Sequence, residues 1–337
     1  MSHSVSRRTF VSSVLATGAV GIRTACSAQP EKPRRKIRFI DIHTHLGTFY
    51  WGRELTVNGL LRLMDSHEIE RAVVLPLVSP ESAPYLQTSE AALAAYQAHP
   101  DRIIPFCAVD PRCTTNRPER FGHVEGVKGL TEILRRYKDQ GAKGMGEHKV
   151  GLPFDHALMM VLYEACARLE LPILFHLDDI RSFDVPGLPR LENALKAFPK
   201  LPFIGHAAGF WASISGDATL KDFGRYPKVP TRVAPNGALD RLMERYSNLY
   251  GDLSEPGGYT AMARDPKFGR QFLLRRQDRL LFGTDFLMPG QNETARIKLL
   301  DSMKLPEDAQ YKIFRGNAIR LLGLKLDRDR KPPQSGR

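Results

Sequence analysis

The sequence is poor in cysteine, with four residues at positions 26, 107, 113 and 166. Removal or modification of Cys26 with an N-terminal leader would leave three, and an odd number argues against a scaffold of paired disulfides. Cys107 and Cys166 lie in apolar, periodic segments, where a thiol acts as a small core side chain. A chain of 337 residues is long enough to bury a sizeable core without such cross-links.

Excess positive charge is nearly absent from the body of the chain, although the whole sequence carries a formal +12. Residues 1–36 hold seven Lys or Arg and one Glu, and residues 325–337 hold five Lys or Arg and two Asp. The two ends therefore account for +9 and leave +3 for the residues between them. A body with this surplus and no basic-aromatic platform does not predict nucleic-acid binding.

The N-terminal region lacks an apolar run long enough for an ordinary membrane-spanning helix. Its apolar stretch, residues 10–22, instead follows the pair Arg7 and Arg8 and precedes a run of small residues. This order predicts a twin-arginine export signal over residues 1–28, cleaved after residue 28, with delivery to the periplasm or the outside of the cell. A lipid anchor at Cys26 is an alternative.

A strand pattern and a helical pattern alternate from residue 37 onwards. Eight strands are predicted, at residues 37–46, 72–78, 103–110, 142–150, 171–178, 201–207, 249–253 and 279–286. Eight strands alternating with helices over roughly 250–300 residues predict an α/β fold, a single-domain (β/α)8 TIM barrel, here over residues 37–324. A doubly wound sheet usually has fewer strands and a Gly-rich turn after the first, where this chain has His-x-His.

Three segments lie outside the alternation. A polar linker over residues 29–36 precedes the predicted barrel, and a charged tail over residues 325–337 follows it. Residues 211–235 contain three prolines and two glycines without clear periodicity. Because this segment follows the sixth strand, we expect an extended loop that lies over the active face as a lid or binding loop.

Potential metal ligands close most of the predicted strands. His43 and His45 end the first strand, and because side chains alternate along a strand, the two imidazoles should point the same way. The other strand-end groups are Glu147, His148 and Lys149 on the fourth strand, His176 on the fifth, His206 on the sixth, Asp252 on the seventh and Asp285 on the eighth. The carboxyl ends of barrel strands meet at one face, so these groups predict a metal site.

The predicted ligands contain no sulfur. Imidazole and carboxylate donors of this kind suit Zn²⁺, with Mn²⁺, Fe²⁺ and Co²⁺ as alternatives. The pattern leaves open whether each chain binds one or two ions.

Five short motifs together resemble a known family. They are Asp-Ile-His-Thr-His at 41–45, Leu-Pro-Ile-Leu-Phe-His at 171–176, Ile-Gly-His-Ala-Ala-Gly at 204–209, Leu-Phe-Gly-Thr-Asp at 281–285 and Gly-Asn-Ala-Ile-Arg-Leu-Leu at 316–322. The chain resembles the amidohydrolase superfamily over about residues 37–324. More narrowly, it is similar to the amidohydrolase-related branch that includes aminocarboxymuconate semialdehyde decarboxylase-like proteins.

The resemblance implies roles for the strand-end residues. His43, His45, His176 and Asp285 would bind the metal, and Asp285 would also take the proton from an attacking water. His206 would be either a ligand of a second metal or the group that polarises the substrate and shuttles protons. These roles agree with general chemistry, because a bound cation lowers the pKa of water and a nearby carboxylate can act as base.

The fourth strand leaves alternatives open. Many members of the superfamily have a carboxylated lysine or a glutamate there, and Gly-x-Gly-Glu ending at Glu147 resembles the glutamate of deoxyribonuclease-like and deacetylase-like members. Glu147 is therefore expected to face the metal, as a bridge or in the outer layer, or else to pair with Lys149 at the barrel mouth. Lys149 could instead bind an anionic substrate, and His148 should face outward towards a helix.

Other residues are expected around the site. Asp252, which recurs in the branch near a serine such as Ser254, should orient a ligand or a water molecule. Hypothetical substrate contacts lie in the segments that follow the strands: Trp51, Arg53, Arg181, Trp211 and Tyr259.

The sequence thus predicts a metal-dependent hydrolase that activates water against the carbonyl carbon of an amide, ester or lactone in a small molecule. The alternative enzyme is a metal-dependent non-oxidative decarboxylase, which uses the same ligands. A non-catalytic barrel that binds a small molecule is an alternative of another class, although intact ligands at the expected strands argue against it. Barrels of this branch often pair, so a homodimer is a further expectation.

Overall fold

The structure, a computed structural model, describes residues 38–49, 52–115 and 124–325 of the chain. All of these belong to one unit, residues 36–337. The predicted export signal, the linker and Trp51 lie outside the described residues, as does the tail beyond residue 325.

The fold is built on eight parallel strands that close into a barrel. In chain order the strands of the molecule are β1 (Phe39–Thr44), β2 (Ile69–Val74), β3 (Ile103–Pro105), β4 (Thr114–Thr115), β5 (Val124–Glu125), β6 (Met145–His148), β7 (Ile173–His176), β8 (Phe203–His206), β9 (Leu249–Asp252) and β10 (Leu280–Leu281). The short β4 and β5 pair only with each other, outside the barrel.

Two hydrogen-bonded sheets make up the barrel wall, in the orders β1-β2-β3 and β10-β9-β8-β7-β6. Parallel bridges from Cys107 to Met145 and from Thr44 to Phe286 join these sheets along both edges. Each of the eight predicted strand segments overlaps a barrel strand, although β2 begins three residues before the predicted segment at 72–78, so the predicted (β/α)8 architecture is confirmed.

Helices connect the strands on the outside. They are α1 (Val57–Ser66), α2 (Ser89–Ala98), α3 (Gly126–Asp139), α4 (Ala157–Arg168), α5 (Pro189–Ala197), α6 (Ala208–Ala212), α7 (Leu220–Phe223), α8 (Ala238–Arg245), α9 (Glu255–Ala263), α10 (Pro266–Arg275), α11 (Thr294–Ser302), α12 (Glu307–Tyr311) and α13 (Asn317–Leu322). In the described ranges, none is both long enough and apolar enough to cross a bilayer.

The segment over residues 211–235 is the extended loop that the sequence predicts. Apart from the end of α6 and the four residues of α7, it contains no helix or strand. Phe223 is fully buried and anchors α7, a contact between distant segments that local periodicity cannot reveal. Phe223, Gly224 and Tyr226 line a cavity together with strand-end residues, so the segment does lie over the active face.

Two apolar layers hold the barrel. The outer layer lies between strands and helices, and it includes Phe39, Phe175 and Phe203. The inner layer fills the barrel itself with alternate strand residues: Ile40, Ile42, Val73, Leu75, Ile104, Phe106, Leu174, Ile204 and Leu281. Because side chains alternate along each strand, neighbouring residues belong to different layers, and the inner layer forms the floor beneath the strand ends.

Replacing Leu174 by alanine is expected to destabilise the protein by about 2–5 kcal/mol, because the side chain is fully buried in the inner layer and its loss leaves a cavity. A urea titration would measure the change in the free energy of unfolding. Leu220→Ala is the control, since Leu220 is 57 % exposed and should change it by less than about 0.5 kcal/mol. Equal losses in the two variants would contradict the packed inner layer.

Candidate metal centre

Two buried imidazoles begin the site, His43 in β1 and His45 directly after it, with their Nε2 atoms 3.1 Å apart. The prediction that His43 and His45 point the same way is confirmed. Ile42 faces the barrel interior. Strict alternation along the strand would therefore place His43 and His45 on the outer side of the barrel wall. The pairing of β1 with β2 is irregular between Asp41 and Thr44. This irregularity allows His43 and His45 to follow Ile42 on the inner side.

The other ring nitrogen of His43 and of His45, Nδ1, is held by a hydrogen bond. His43 Nδ1 lies 2.6 Å from Asp252 Oδ2, and His45 Nδ1 lies 2.9 Å from the carbonyl oxygen of Leu75. Carbonyl and carboxylate oxygens accept hydrogen bonds, so each Nδ1 carries the hydrogen and donates it. When each ring is neutral, its Nε2 therefore presents a lone pair, the form in which an imidazole binds a metal.

The same carboxylate orients His206 through a serine. Ser254 Oγ donates to Asp252 Oδ2 over 2.6 Å, and His206 Nδ1 lies 2.9 Å from Ser254 Oγ. Since the hydroxyl hydrogen of Ser254 is used on Asp252, His206 Nδ1 donates and its Nε2 carries the lone pair. Burial, and then the charge of His43, hold the pKa of His206 well below its ordinary value, so this ring is neutral.

Carboxylate oxygens face these lone pairs. Asp285 Oδ1 lies 3.3 Å from His45 Nε2 and 3.5 Å from His43 Nε2. Glu147 Oε2 lies 3.3 Å from His45 Nε2 and 3.6 Å from His43 Nε2. Buried acceptors that face one another repel unless a cation lies between them.

Two groups of potential ligands share one imidazole. His43, His45 and Asp285 form the first group, in which the ligand atoms all lie within 4.8 Å of one another, and His43, Glu147 and His206 form the second. These are the nitrogen and oxygen donors that divalent transition metals bind, and the anchored Nδ1 atoms are typical of metal-binding histidines. The residues present therefore fit a divalent cation.

The electrostatics of the cluster also favour a cation. Burial alone would lower the pKa of His43, but the carboxylates of Asp285, Asp252 and Glu147 raise it well above its ordinary value. Burial alone would raise the pKa of Asp285, whereas the nearby imidazoles hold it below its usual range. The negative potential that keeps a proton on His43 also attracts a divalent cation, whose binding would release that proton.

Asp285 is held in an unusual backbone conformation, with a φ of 57°. Its backbone N–H donates to the carbonyl oxygen of His43 over 2.8 Å, and its own carbonyl accepts from Gln291 Nε2 over 2.9 Å. Arg296 Nη1 donates to the carbonyl of Thr284 over 3.0 Å. A non-glycine residue in the left-handed region is strained, so these bonds fix where the carboxylate points.

Asp41 is a positioning residue that the sequence reasoning missed. Its Oδ1 accepts from the backbone N–H groups of His43 and Thr284, both over 3.0 Å. It thereby ties β1 to the segment that carries Asp285. Burial raises the pKa of Asp41 to about 7, against the effect of its hydrogen bonds with Thr284 and His43. The sequence feature that could have identified Asp41 is its position as an aspartate inside an otherwise apolar strand, next to His-x-His.

Glu147, on the fourth barrel strand β6, makes both of the contacts that the sequence left open, with Lys149 and with the histidine cluster. Glu147 Oε2 lies 2.9 Å from Lys149 Nζ and also faces the histidine cluster. Burial opposes ionisation, but Lys149 and His43 hold the pKa of Glu147 well below its usual range. His148 turns the other way, with Nε2 3.0 Å from the sulfur of Met159 in α4, as expected for a helix-facing residue.

His176 is engaged at both nitrogens. Nδ1 lies 2.8 Å from Glu147 Oε1, and Nε2 lies 3.0 Å from Asp178 Oδ2. Burial and Lys149 lower the pKa of His176, but its bonds to the two carboxylates outweigh them and raise it. The ring thus links Glu147 to Asp178 beside the two groups of potential ligands, and its role as a metal ligand stays a prediction.

The hypothetical substrate contacts fall in different places. Arg181 lines one cavity above the strand ends, and Tyr259 lines a second. Trp211 is buried, and its Nε1 donates to the carbonyl oxygen of Asp252 over 3.0 Å, so it supports β9. Arg53 is exposed and lines neither of these cavities. Tyr85, which no local pattern marked, lies beside Lys149 with the ammonium 5.4 Å from its ring centroid.

Two cavities meet at Asp285. The first, of about 210 Å³, is lined by polar strand-end residues and by the segment over the active face. The second, of about 680 Å³, lies against the loop that follows β10. Phe49, Asp285 and Leu287 line both. A small molecule in either cavity would therefore contact the candidate metal ligand Asp285.

Replacing Asp252 by asparagine is expected to weaken divalent-metal binding by about 10–100-fold, because His43 loses the charged acceptor that fixes its tautomer. Competition with a fluorescent chelator would measure the affinity. Asp278→Asn is a matched control, since that carboxylate pairs with Lys312 on the surface and has a side chain that is 63 % exposed. An unchanged affinity in Asp252→Asn would show that the aspartate does not orient a ligand.

Comparisons with known proteins agree with the barrel fold. The chain aligns over about 85 % of its length with a solved TIM-barrel protein from Bordetella bronchiseptica, at 16 % identity, 99 % coverage of that chain and a TM-score of 0.57. A probable 2-pyrone-4,6-dicarboxylic acid hydrolase from Acinetobacter baumannii, solved with citric acid, matches at 15 % identity and a TM-score of 0.55, covering 86 % of this chain and 100 % of that one.

The 5-carboxyvanillate decarboxylase of Sphingomonas paucimobilis matches at 15 % identity and a TM-score of 0.52, with 86 % of this chain and 100 % of that chain covered. At these identities the three structures establish a shared fold. No curated protein matches the sequence. The profile of the amidohydrolase family matches residues 40–324, which include every candidate ligand and all of the barrel strands except the first residue of β1. The chain is therefore a member of the amidohydrolase family.

Proposed function

We propose that this protein is a metal-dependent hydrolase that cleaves an amide, ester or lactone in a small molecule. The observation that carries the proposal is the buried cluster in which ring nitrogens of His43, His45 and His206 face the carboxylates of Asp285 and Glu147. Asp285 also lines the cavity above the strand ends. A divalent cation held there would polarise a carbonyl group and lower the pKa of a water molecule towards neutrality.

We propose one divalent cation for each chain. The two groups of ligands share His43, and one imidazole nitrogen coordinates one ion, so the groups converge on a common position. Zn²⁺ suits these donors, with Mn²⁺, Fe²⁺ and Co²⁺ as alternatives. Elemental analysis of the purified protein would test the count. A second ion would instead require Glu147 to bridge.

Asp285 is the proposed general base. Its Oδ1 is buried, accepts no hydrogen bond from the described residues and lies at the junction of the two cavities. The carboxylate is ionised at neutral pH and can take the proton of the attacking water. His206 is neutral and presents a lone pair, so it suits proton acceptance or ligation better than donation to a substrate oxygen.

A metal-dependent decarboxylase is the second candidate. A single cation with Lys149 and Arg181 on the cavity wall would also bind a carboxylic acid without an attacking water. One protein of similar fold is named as a 5-carboxyvanillate decarboxylase, which supports decarboxylation as an alternative reaction. The products distinguish the two candidate reactions. Hydrolysis of an amide, ester or lactone forms a new carboxylic acid, whereas decarboxylation releases carbon dioxide.

Asp285→Asn is expected to lower hydrolysis of the best substrate in an ester, lactone and amide panel by about a hundredfold or more, because it removes the base. The carboxylic acid product would be quantified by chromatography alongside carbon dioxide release. Chelation of the metal should abolish turnover and re-addition should restore it. Turnover that survives both chelation and Asp285→Asn would refute the metal-dependent mechanism, and carbon dioxide as the product would replace the hydrolase with the decarboxylase.

We also propose that the protein is exported through the twin-arginine pathway, from the arginine pair and apolar run of its first 28 residues. Replacing Arg7 and Arg8 together by lysine should keep the protein in the cytoplasm of the producing bacterium. Cell fractionation and the size of the mature chain would measure this. Unchanged processing and periplasmic recovery would contradict the export proposal.

A further inference from the structure

We infer that a further cavity, beside the segment that lies over the active face, binds a phosphate group at a site separate from the candidate metal centre. This cavity has a volume of about 490 Å³ and lies between residues 212–231 and the end of α9. We call it the anion cavity. None of the candidate metal ligands is in its wall, whose charged and aromatic residues are Asp217, Asp222, Arg225, Tyr226, Lys228 and Arg264.

Arg264 is a buried cation without a counter-ion in the described part of the chain. It directly follows α9, and only 8 % of it is exposed. Its Nε donates to the carbonyl oxygen of Thr231 over 3.4 Å, and its Nη2 donates to that of Arg232 over 3.0 Å. Within residues 38–49, 52–115 and 124–325 it forms no ion pair, and its Nη1 has no hydrogen-bond partner.

A buried guanidinium normally has an anionic partner, because removing an isolated charge from water is costly. Backbone carbonyls satisfy two of the nitrogens of Arg264 but carry no net charge to balance it. The guanidinium lines the anion cavity, so an anion bound there would supply the missing counter-charge.

The two carboxylates in the wall are already bonded elsewhere. Asp222 Oδ2 accepts from the backbone N–H and the hydroxyl of Thr219 over 2.8 and 2.7 Å, and its Oδ1 lies 3.5 Å from Arg225 Nη2. Asp217 Oδ1 accepts from Ser215 Oγ over 2.5 Å. Neither carboxylate pairs with the buried guanidinium, so its positive potential remains available in the cavity.

The segment itself adds positive charge to the same cavity. Residues 212–232 contain four Lys or Arg and two Asp, a surplus of two in a body whose whole surplus is three. Arg225 and Lys228 are exposed and line the cavity, which gives its wall three cations against two carboxylates. The positive charge of the barrel body is therefore concentrated around this cavity.

A phosphate group matches this set of donors. It carries a charge of about −1.5 to −2 at pH 7 and has three strong acceptor oxygens. Arginine binds such oxygens through its planar fork and lysine binds them as a point charge. The cavity is as large as a typical small-molecule site, so it can hold free phosphate or a phosphate ester with a small organic body.

The anion cavity is also connected to the active face. Tyr226 lines both this cavity and the 210 Å³ cavity above the strand ends. A β-carbon added to Gly257 of α9 would lie 3.3 Å from the ring of Tyr226, so the segment and α9 are in close contact. Phosphate held between Arg264 and Lys228 would join the two and restrict the motion of the segment over the active face.

Titration of the purified protein, with its metal content unaltered, with inorganic phosphate at constant ionic strength tests the inference. Calorimetry should detect phosphate binding, and Arg264→Gln should weaken it by about tenfold or more, because the variant lacks the buried charge. Arg264→Lys keeps the charge and should lose less affinity than Arg264→Gln. Phosphate should also slow amide hydrogen exchange in residues 212–231 of the wild type but not of Arg264→Gln.

Arg245→Gln is the matched control, since Arg245 pairs with Glu192, has a side chain that is 66 % exposed and does not line the anion cavity. It should leave phosphate affinity unchanged. If Arg264→Gln fails to fold, as judged by thermal unfolding, Arg225→Gln combined with Lys228→Gln replaces it. Both side chains are exposed, and their joint loss should weaken phosphate binding by about threefold or more and reduce its salt dependence.

Glycerol 3-phosphate distinguishes the two sources of the phosphate group. Binding about tenfold tighter than that of inorganic phosphate, a difference of about 1.4 kcal/mol, would assign the cavity to an organic phosphate. A similar or lower affinity would assign it to the free ion. In either case the binding should depend on Arg264.

Absence of phosphate binding in the wild type would overturn the inference. So would binding that is unchanged in Arg264→Gln and in the double variant, because the anion would then bind elsewhere, for example on the candidate metal. The affinity for the metal should be the same in Arg264→Gln and in the wild type if the two sites are separate. The inference does not depend on hydrolysis, so loss of the proposed function would leave this test intact.

Discussion

The hydrogen bonds that Asp252 accepts control the chemistry of the whole site. One carboxylate oxygen, 2.6 Å from both His43 Nδ1 and Ser254 Oγ, fixes the hydrogens of two imidazoles, since Ser254 passes the constraint on to His206. In their neutral forms these rings therefore present the lone pairs of their outer nitrogens to Asp285 and Glu147. A buried group of acceptors is unstable alone, so the fold stores a negative potential that a cation relieves.

Closure of the barrel makes this arrangement possible. Asp41 bonds to the backbone of both β1 and the segment after β10, the two ends of the sheet order. It therefore places the first and last ligands of the chain side by side, although more than 200 residues separate His43 from Asp285. Asp285 in turn depends on Gln291, which holds its strained backbone.

The candidate metal ligands and the cavity walls come from different parts of the fold. The donors around His43 belong to the barrel face and suit either hydrolysis or decarboxylation, because both reactions use a cation next to a carbonyl or carboxylate. The walls come from connecting segments, such as the turn that carries Tyr85 and the loop that carries Leu287. The connecting segments would therefore select the substrate, and their sequences show neither the helical nor the strand periodicity.

The sequence by itself determined the barrel and which polar side chains close its strands, because apolar alternation is local and parallel strands end at one face. It also predicted that His148 turns away from Glu147, as period two requires. The tertiary structure decided which groups meet: the anchoring of His43 by Asp252, the bond from Asp41 to Thr284, the carboxylates on both nitrogens of His176 and the burial of Trp211. These depend on contacts between distant segments and on an irregular strand pairing, and neither follows from the order of residues along one strand.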